Sequence, residues 1–274
     1  MLDGTVVYKV TGSGNDFVML DGRTEPLERW TPELIREICS RGTGVGADGF
    51  AVLQPGSRPG AVRFNFFNSD GDRSAMCGNA ALCATRLSAW LELGPADGLV
   101  LETDSGDVPA RCLPGPGQRA EVQLPPVADL TTPEIATLPG ERTIRFTAVG
   151  VPHLVVLVEE VGAVPVLERG RELRSHAEVG PDGANVNFVG NGSGGWAMRT
   201  FERGVEAETL ACGTGAAATA AVLAQSEGVA LPVDIRTSSG TVLTVSVDSA
   251  AGGQFGRPQL AGEGRIVFRA IVGA

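Results

Sequence analysis

Phe67 to Ala84 reads FNSDGDRSAMCGNAALCA, and Phe201 to Ala218 reads FERGVEAETLACGTGAAA. In each stretch a cysteine ends a strand-like run, and the glycine after it opens an alanine-rich, helix-like run. Phe67 precedes Cys77 by ten residues and Phe201 precedes Cys212 by eleven, and the two cysteines lie about half of the 274-residue chain apart. A unit used twice predicts two related lobes, each presenting one thiol at the N-terminus of one helix. That terminus carries amides the helix does not use and a positive dipole end. Both attract an anion and lower the pKa of a neighbouring thiol. Two such ends facing one another would hold one carboxylate between two acid/base thiols. That geometry suits moving a proton from one face of a carbon to the other.

Working outward, the first half predicts strands at Thr5–Val10, Phe17–Asp21, Phe50–Leu53, Ala61–Asn68, Leu99–Thr103 and Val108–Leu113. A helix from Pro32 to Cys39 has Thr31 as N-cap and proline at its first position. A second runs from Gly78 to about Leu93. The second half repeats the plan with strands at Ala120–Leu124, Thr143–Ala148, Leu154–Val158, Asn185–Val189 and Trp196–Glu202, and helices at Val166–His176 and Gly213–Gln225. Val233–Thr237 and Thr241–Val247 form a hairpin, and Arg265–Ala270 is a last strand returning to the first lobe. Both helices after the cysteines are apolar nearly all round, so they are buried on every side. The predicted fold is α/β (α+β): two pseudo-symmetric lobes, each a curled mixed sheet or barrel wrapped around a central helix. Residues 113–117 (LPGPG) read as a linker, giving an N-terminal lobe of 1–117, completed by 264–274, and a C-terminal lobe of 118–263.

A net charge of −10 opposes binding to nucleic acid, whose phosphates need a basic face. No stretch approaches the ~18 consecutive apolar residues of a membrane helix, and MLDGTVVYKV lacks a signal-type pattern, so a soluble cytoplasmic protein is expected. Five cysteines in this length do not make a disulfide scaffold. Cys39, Cys83 and Cys112 read as small buried hydrophobes. Two histidines, His153 and His176, leave few metal ligands, and no metal is expected. Lys9 is the only lysine among 22 lysines and arginines. Pyridoxal phosphate needs a Schiff-base lysine, which makes that chemistry improbable, so no cofactor is expected.

Other motifs read as structure. Asn68 to Asp72 (NSDGD) has its glycine at the wrong place for a calcium loop and predicts a turn delivering Asn68 into a cleft. Gly12 to Asn15 (GSGN) and Gly42 to Gly46 (GTGVG) lack the remainder of a dinucleotide or phosphate-loop signature and read as tight loops lining a site. Gly190 to Gly195 is a hairpin turn. Glu202 is the repeat counterpart of Asn68, which places both towards one cleft, and Arg203 can grip a carboxylate bidentately.

Taken together, Gly12 to Phe17 (GSGNDF), Arg41 to Gly49 (RGTGVGADG), Phe67 to Asn79, Pro152-His153, Asn185 to Phe188 (NVNF) and Phe201 to Gly215 resemble the diaminopimelate epimerase family across essentially the whole chain. These are enzymes of lysine and peptidoglycan biosynthesis that work without pyridoxal phosphate. The resemblance implies an isomerase that interconverts LL- and meso-2,6-diaminoheptanedioate. Cys77 and Cys212 would be the acid/base thiols, with His153 and Glu202 also in the catalytic site. Gly78, Asn79, Gly213 and Thr214 would hold the carboxylate at the reacting carbon. Asn15, Asn68, Asn185, Glu202 and Arg203 would bind the amino groups and distal carboxylate. It further implies a cytoplasmic homodimer with a small-molecule substrate. Two positions depart from the pattern: Val151 stands where the family often has a substrate-binding asparagine, and Gly49 where some members carry glutamine. A racemase of another amino acid, or a related isomerase, is the alternative within enzymes. A reversible Cys77–Cys212 redox switch is the alternative outside them, opposed by the absence of CxxC and by a duplicated carboxylate pocket.

Overall fold

The computed structural model describes residues 4–247 and 255–273. In chain order the elements are β1 (Thr5–Gly12), β2 (Asn15–Asp21), α1 (Pro32–Cys39), β3 (Gly49–Pro55), β4 (Ala61–Asn68), β5 (Arg73–Ser74), α2 (Gly78–Trp90), β6 (Leu99–Thr103), β7 (Gly106–Cys112) and β8 (Arg119–Gln123). Then come β9 (Glu141–Val149), β10 (Val151–Val158), α3 (Val166–Arg174), β11 (Asn185–Gly192), β12 (Gly195–Glu202), β13 (Ala207–Thr209), α4 (Gly213–Glu227), β14 (Val233–Arg236), β15 (Val242–Val247), β16 (Pro258–Glu263) and β17 (Arg265–Val272). The chain divides into two compact units, residues 1–122 with 261–274, and residues 123–260. Residues 113–117, expected to link lobes, lie in the loop of the β7–β8 hairpin, in which Ala110 pairs with Val122. Arg265 to Val272 does pair with the first unit, antiparallel along β1 from Thr5↔Val272 to Thr11↔Arg265. Ala274, the last residue of the expected C-terminal segment, lies outside the described residues, as do Met1 to Asp3 of the N-terminal stretch read above.

In the first unit β1 and β2 are antiparallel, β2 and β3 parallel, and β3 and β4 antiparallel. β5 pairs antiparallel and β6 parallel with β4, and β6 and β7 are antiparallel. The second unit repeats every one of these relationships. β9–β10 is antiparallel, β10–β11 parallel, β11–β12 antiparallel, β12–β13 antiparallel, β12–β14 parallel and β14–β15 antiparallel. The registers match too: Phe17↔Gly49 corresponds to His153↔Asn185, and Ala51↔Phe66 to Asn187↔Thr200.

Strand alternation divides each sheet into two faces. In the first unit Val18, Leu20, Phe50 and Val52 turn to one side and pack with Ile35 and Ile38 of α1 and Trp30. Residues between them in sequence face the other side, where the sheet curls around α2, which touches β1, β2, β3, β4, β6, β7 and β17. In the second unit Leu154, Val156, Val186 and Phe188 pack with Val166 and Leu173 of α3, and α4 lies against β9, β10, β11 and β15. Strands covered on both faces explain near-continuous apolar runs such as Leu154 to Val158.

Alanine makes the two central helices possible. It is the best helix former, and its small side chain lets the surrounding strands close in. Ala80, Ala81, Leu82, Cys83 and Ala84 are all fully buried, as are Ala216, Ala217, Ala218, Ala220 and Ala221. α4 ends at Gly228, whose φ of 66° supplies a left-handed cap. α1 begins as its sequence dictates, with the Thr31 hydroxyl accepting from the Leu34 amide.

Candidate active site

Cys77 and Cys212 are the N-cap residues of α2 and α4. The first bond each helix makes is accepted by the cysteine carbonyl, from Ala81 at 2.8 Å in one and Ala216 at 2.9 Å in the other. The amides of Gly78 and Asn79, and of Gly213 and Thr214, precede those bonds and are donors the helices themselves do not use. Gly78, Asn79 and Gly213 are buried and Thr214 is half-buried. Cys77 is half-buried and Cys212 buried.

The first unit fixes its helix start through a polar chain. The Asn79 side-chain Nδ2 donates to Asn15 Oδ1 at 2.9 Å, and Asn15 Nδ2 donates to Asp48 at 3.1 Å. Arg41 bridges Asp48 and Asp16, and Asp16 pairs with Lys9. Burial raises the Asp16 pKa, but bonds from Arg41 and Lys9 outweigh it and leave the carboxyl below its usual value. Lys9 also donates to the Gly46 carbonyl, so the single lysine holds this loop. The loop from Arg41 to Gly49 in turn covers the end of α1, with Val45 and Gly46 donating to the Ile38 carbonyl and Ala47 to that of Cys39.

Ser13 and Gly14 form the two-residue turn of the β1–β2 hairpin, both at positive φ (55° and 104°). Gly12 leaves no room for a side chain, since a Cβ would sit 2.5 Å from the Asn79 carbonyl. The GSGN stretch is therefore the hairpin end that presses Asn15 onto the start of α2. Asn68 ends β4, exposed, in a turn closed by its amide on the Asp72 carbonyl at 2.9 Å. At Gly49 a Cβ would meet the Phe66 ring and the Phe67 carbonyl at 2.9 Å, so a longer residue there requires its neighbours to shift.

In the second unit Asn185 is buried, and its Oδ1 accepts the Arg203 amide at 2.9 Å. Glu202 and Arg203 are half-buried, and Arg203 donates to the Asp182 carbonyl at 3.4 Å. Cys212 Sγ lies 3.7 Å from the Thr214 hydroxyl. His153 is fully buried. Burial pushes its pKa down to about 3, with the positive Arg203 guanidinium adding to the effect, so the imidazole is neutral. Its Nδ1 lies 3.2 Å from the amide nitrogen of Asn187, a residue to which the sequence reading gave no role of its own. Val151, the counterpart of Asn15 in the repeat, begins β10 with an apolar side chain.

The structure thus groups Asn15 with Asn79 at the Cys77 helix start. It groups His153, Asn185 and Arg203 in the unit that carries Cys212. Arg41, Asp48, Asp16 and Lys9 were missed as supports of the first group. Their signal was the ADG of residues 47–49 beside the lone lysine. A surface depression of about 400 Å³ is lined by Arg36, Arg41, Asp48, Asp70 and neighbouring residues of the first unit, and contains none of the expected site residues. Among the described residues no group of three or more His, Cys, Asp or Glu side chains is placed to hold a metal ion. No helix among them is long and apolar enough to cross a membrane.

A duplicated unit of mixed sheet around a buried helix defines the fold class. Solved structures share it. A phenazine biosynthesis protein of the PhzF family from Bacillus anthracis aligns with a TM-score of 0.77 over 97% of this chain and 98% of its own, at 13% identity. A hydroxyproline epimerase from Agrobacterium vitis aligns at 0.66 over 97% and 91%, at 20% identity. Sequence narrows the class. The family model for diaminopimelate epimerase matches residues 7–119 and 145–259. A diaminopimelate epimerase of Gemmatimonas aurantiaca is 46% identical over 273 residues, 95% of this chain and 96% of the relative. One from Aquifex aeolicus is 43% identical over 253 residues, 87% and 88% of the two chains. The chain belongs to the diaminopimelate epimerase family.

Proposed function

We propose that this protein interconverts LL- and meso-2,6-diaminoheptanedioate by a cofactor-free, two-base proton transfer. One cysteine, as thiolate, removes the α-proton. The other, as thiol, delivers a proton to the opposite face, and the roles exchange with direction. Without an electron sink an α-proton is weakly acidic, so the developing charge on the substrate carboxylate must be met by preorganised donors. The helix-start amides of Gly78, Asn79, Gly213 and Thr214 serve that purpose, aided by the positive helix ends.

Asn15, Asn68, Asn185, Glu202 and Arg203 bind the distal amino acid end, with Arg203 gripping its carboxylate. His153 and Glu202 support the thiol of Cys212. The enzyme works as a cytoplasmic homodimer. The observation that carries the reading is the matched placement of one thiol at the start of each buried helix. Racemases and redox switches are separated by one experiment: incubating the enzyme in heavy water with a panel of amino acids. Deuterium should enter diaminopimelate at the inverted centre. Faster exchange into a monocarboxylic amino acid would move the function to another racemase.

A further inference from the structure

The duplication supplies an internal control for the residues beneath each thiol-bearing helix. Strand register equates Phe17, Ala51 and Phe66 of the first unit with His153, Asn187 and Thr200 of the second. The helix starts equate Ala80 with Gly215. In the first unit these positions are apolar, and Phe17 packs edge-on against Phe66 at 5.9 Å. In the second the three strand positions are polar and almost fully buried: His153 and Asn187 completely, Thr200 at 2% exposure. The same fold is thus built once without any polar group here. Burying three polar side chains is unfavourable unless each is satisfied, so packing alone does not account for them.

The bonding fixes each group in turn. The Leu154 carbonyl can only accept, so the Asn187 atom 3.0 Å from it is the amide nitrogen. The Thr200 hydroxyl then donates to Asn187 Oδ1 at 3.0 Å. With its nitrogen thus placed, Asn187 donates to His153 Nδ1. A neutral imidazole whose Nδ1 accepts carries its proton on Nε2. That Nε2 is buried and has no hydrogen-bond partner among the described residues. Asn187 also sits beside the thiol. A Cβ on Gly215 would lie 2.3 Å from Asn187 Oδ1 and 3.2 Å from Cys212 Sγ. Glycine at 215 is the space Asn187 takes, just as Ala80 is tolerated where Ala51 is small.

We propose that Asn187 is a positioning residue of the Cys212 unit, locking His153 with its proton on Nε2 so that a donor, not a base, is held for the chemistry at Cys212. The inference rests on the two-thiol reading above. It adds that the two thiols are not equivalent: only Cys212 has a polar, tautomer-locking floor.

The chain has two histidines, so 15N spectra of ring-labelled protein resolve His153 against His176. Wild-type His153 is expected as a single Nε2–H tautomer, and a proton on Nδ1 or a mixture overturns the proposal without any variant. The double variant Asn187→Ala with Gly215→Ala reproduces the first unit's pair, Ala51 and Ala80, and so keeps the packing volume. It should lose the single tautomer and about tenfold or more in kcat, with KM changed less than about twofold. Asn187→Ser is read the same way if the double variant does not fold. An unchanged tautomer with unchanged kcat in the folded variant overturns the proposal. Gly215→Ala alone should be the more damaged protein, and Asn187→Ala should restore it. A wild-type protein that locks the tautomer yet leaves diaminopimelate untouched would sink the functional reading instead.

Discussion

Cys77 and Cys212 share a backbone conformation, φ −132° with ψ 122° and 110°, at the same place in two copies of one topology. An extended N-cap puts each side chain before its helix axis while the cysteine carbonyl already accepts the first helical bond. The thiol and the two following amides, which take no part in the helix's own ladder, therefore sit together in each unit. Position, not cysteine chemistry alone, separates these two thiols from the other three.

Thiol reactivity should follow that separation. Cys83 is fully buried, and burial drives its pKa well up. Burial likewise pushes Cys39 up to about 12. At neutral pH neither offers thiolate, whereas Cys77 is half-buried at a helix start. Limited treatment of native protein with a maleimide, followed by peptide mapping, should find Cys77 labelled ahead of Cys39 and Cys83. First labelling at either of those two would mean the helix start confers no advantage.

Arg203 should govern substrate choice. Charge-assisted bonds contribute about 1.5–3 kcal/mol, so Arg203→Ala should lose on the order of tenfold to a hundredfold in kcat/KM for diaminopimelate. Slow exchange on short monocarboxylic amino acids should barely change. Equal losses on both would assign Arg203 to structure, through its contacts with Asn185 and Asp182.

His153 should make acid stability steeper. Its folded pKa, about 3, lies below the ordinary 6.5, so below pH 6.5 the unfolded chain binds a proton the folded one does not. The stability present above that value is lost as pH falls towards 3, by at most about 1.4 kcal/mol per pH unit from this group. Denaturant unfolding of wild type and His153→Gln between pH 7 and 4 isolates the term. The variant's stability should decline less steeply, and parallel curves would show that His153 is not held neutral.

Much of this was legible in the sequence for identifiable reasons. Thr31 and Pro32 set the start of α1, the Cys-Gly pairs set the starts of α2 and α4, and the apolar run at Arg265 announced a strand. What escaped was too short or too irregular to show a period. β5 has two residues and β13 three, while β16 begins at Pro258 and contains Gly262. Pro114 and Pro116 marked a break in regular structure, which the chain uses as a hairpin loop. The Asn187 network was hidden because asparagine in NVNF reads as one motif until strand register sets it against Ala51. His153 against Phe17 was the available signal, since a polar residue replaces an aromatic one in an otherwise matched repeat.

The central claim is that inversion needs both thiols. Its most direct measurement compares Cys77→Ala and Cys212→Ala with wild type, following diaminopimelate in heavy water for deuterium entry and for change of configuration. Each variant should keep its fold by circular dichroism and lose inversion by at least about 10²–10⁴-fold, the usual worth of a positioned acid or base. Near-full inversion in either single variant would contradict the two-base account.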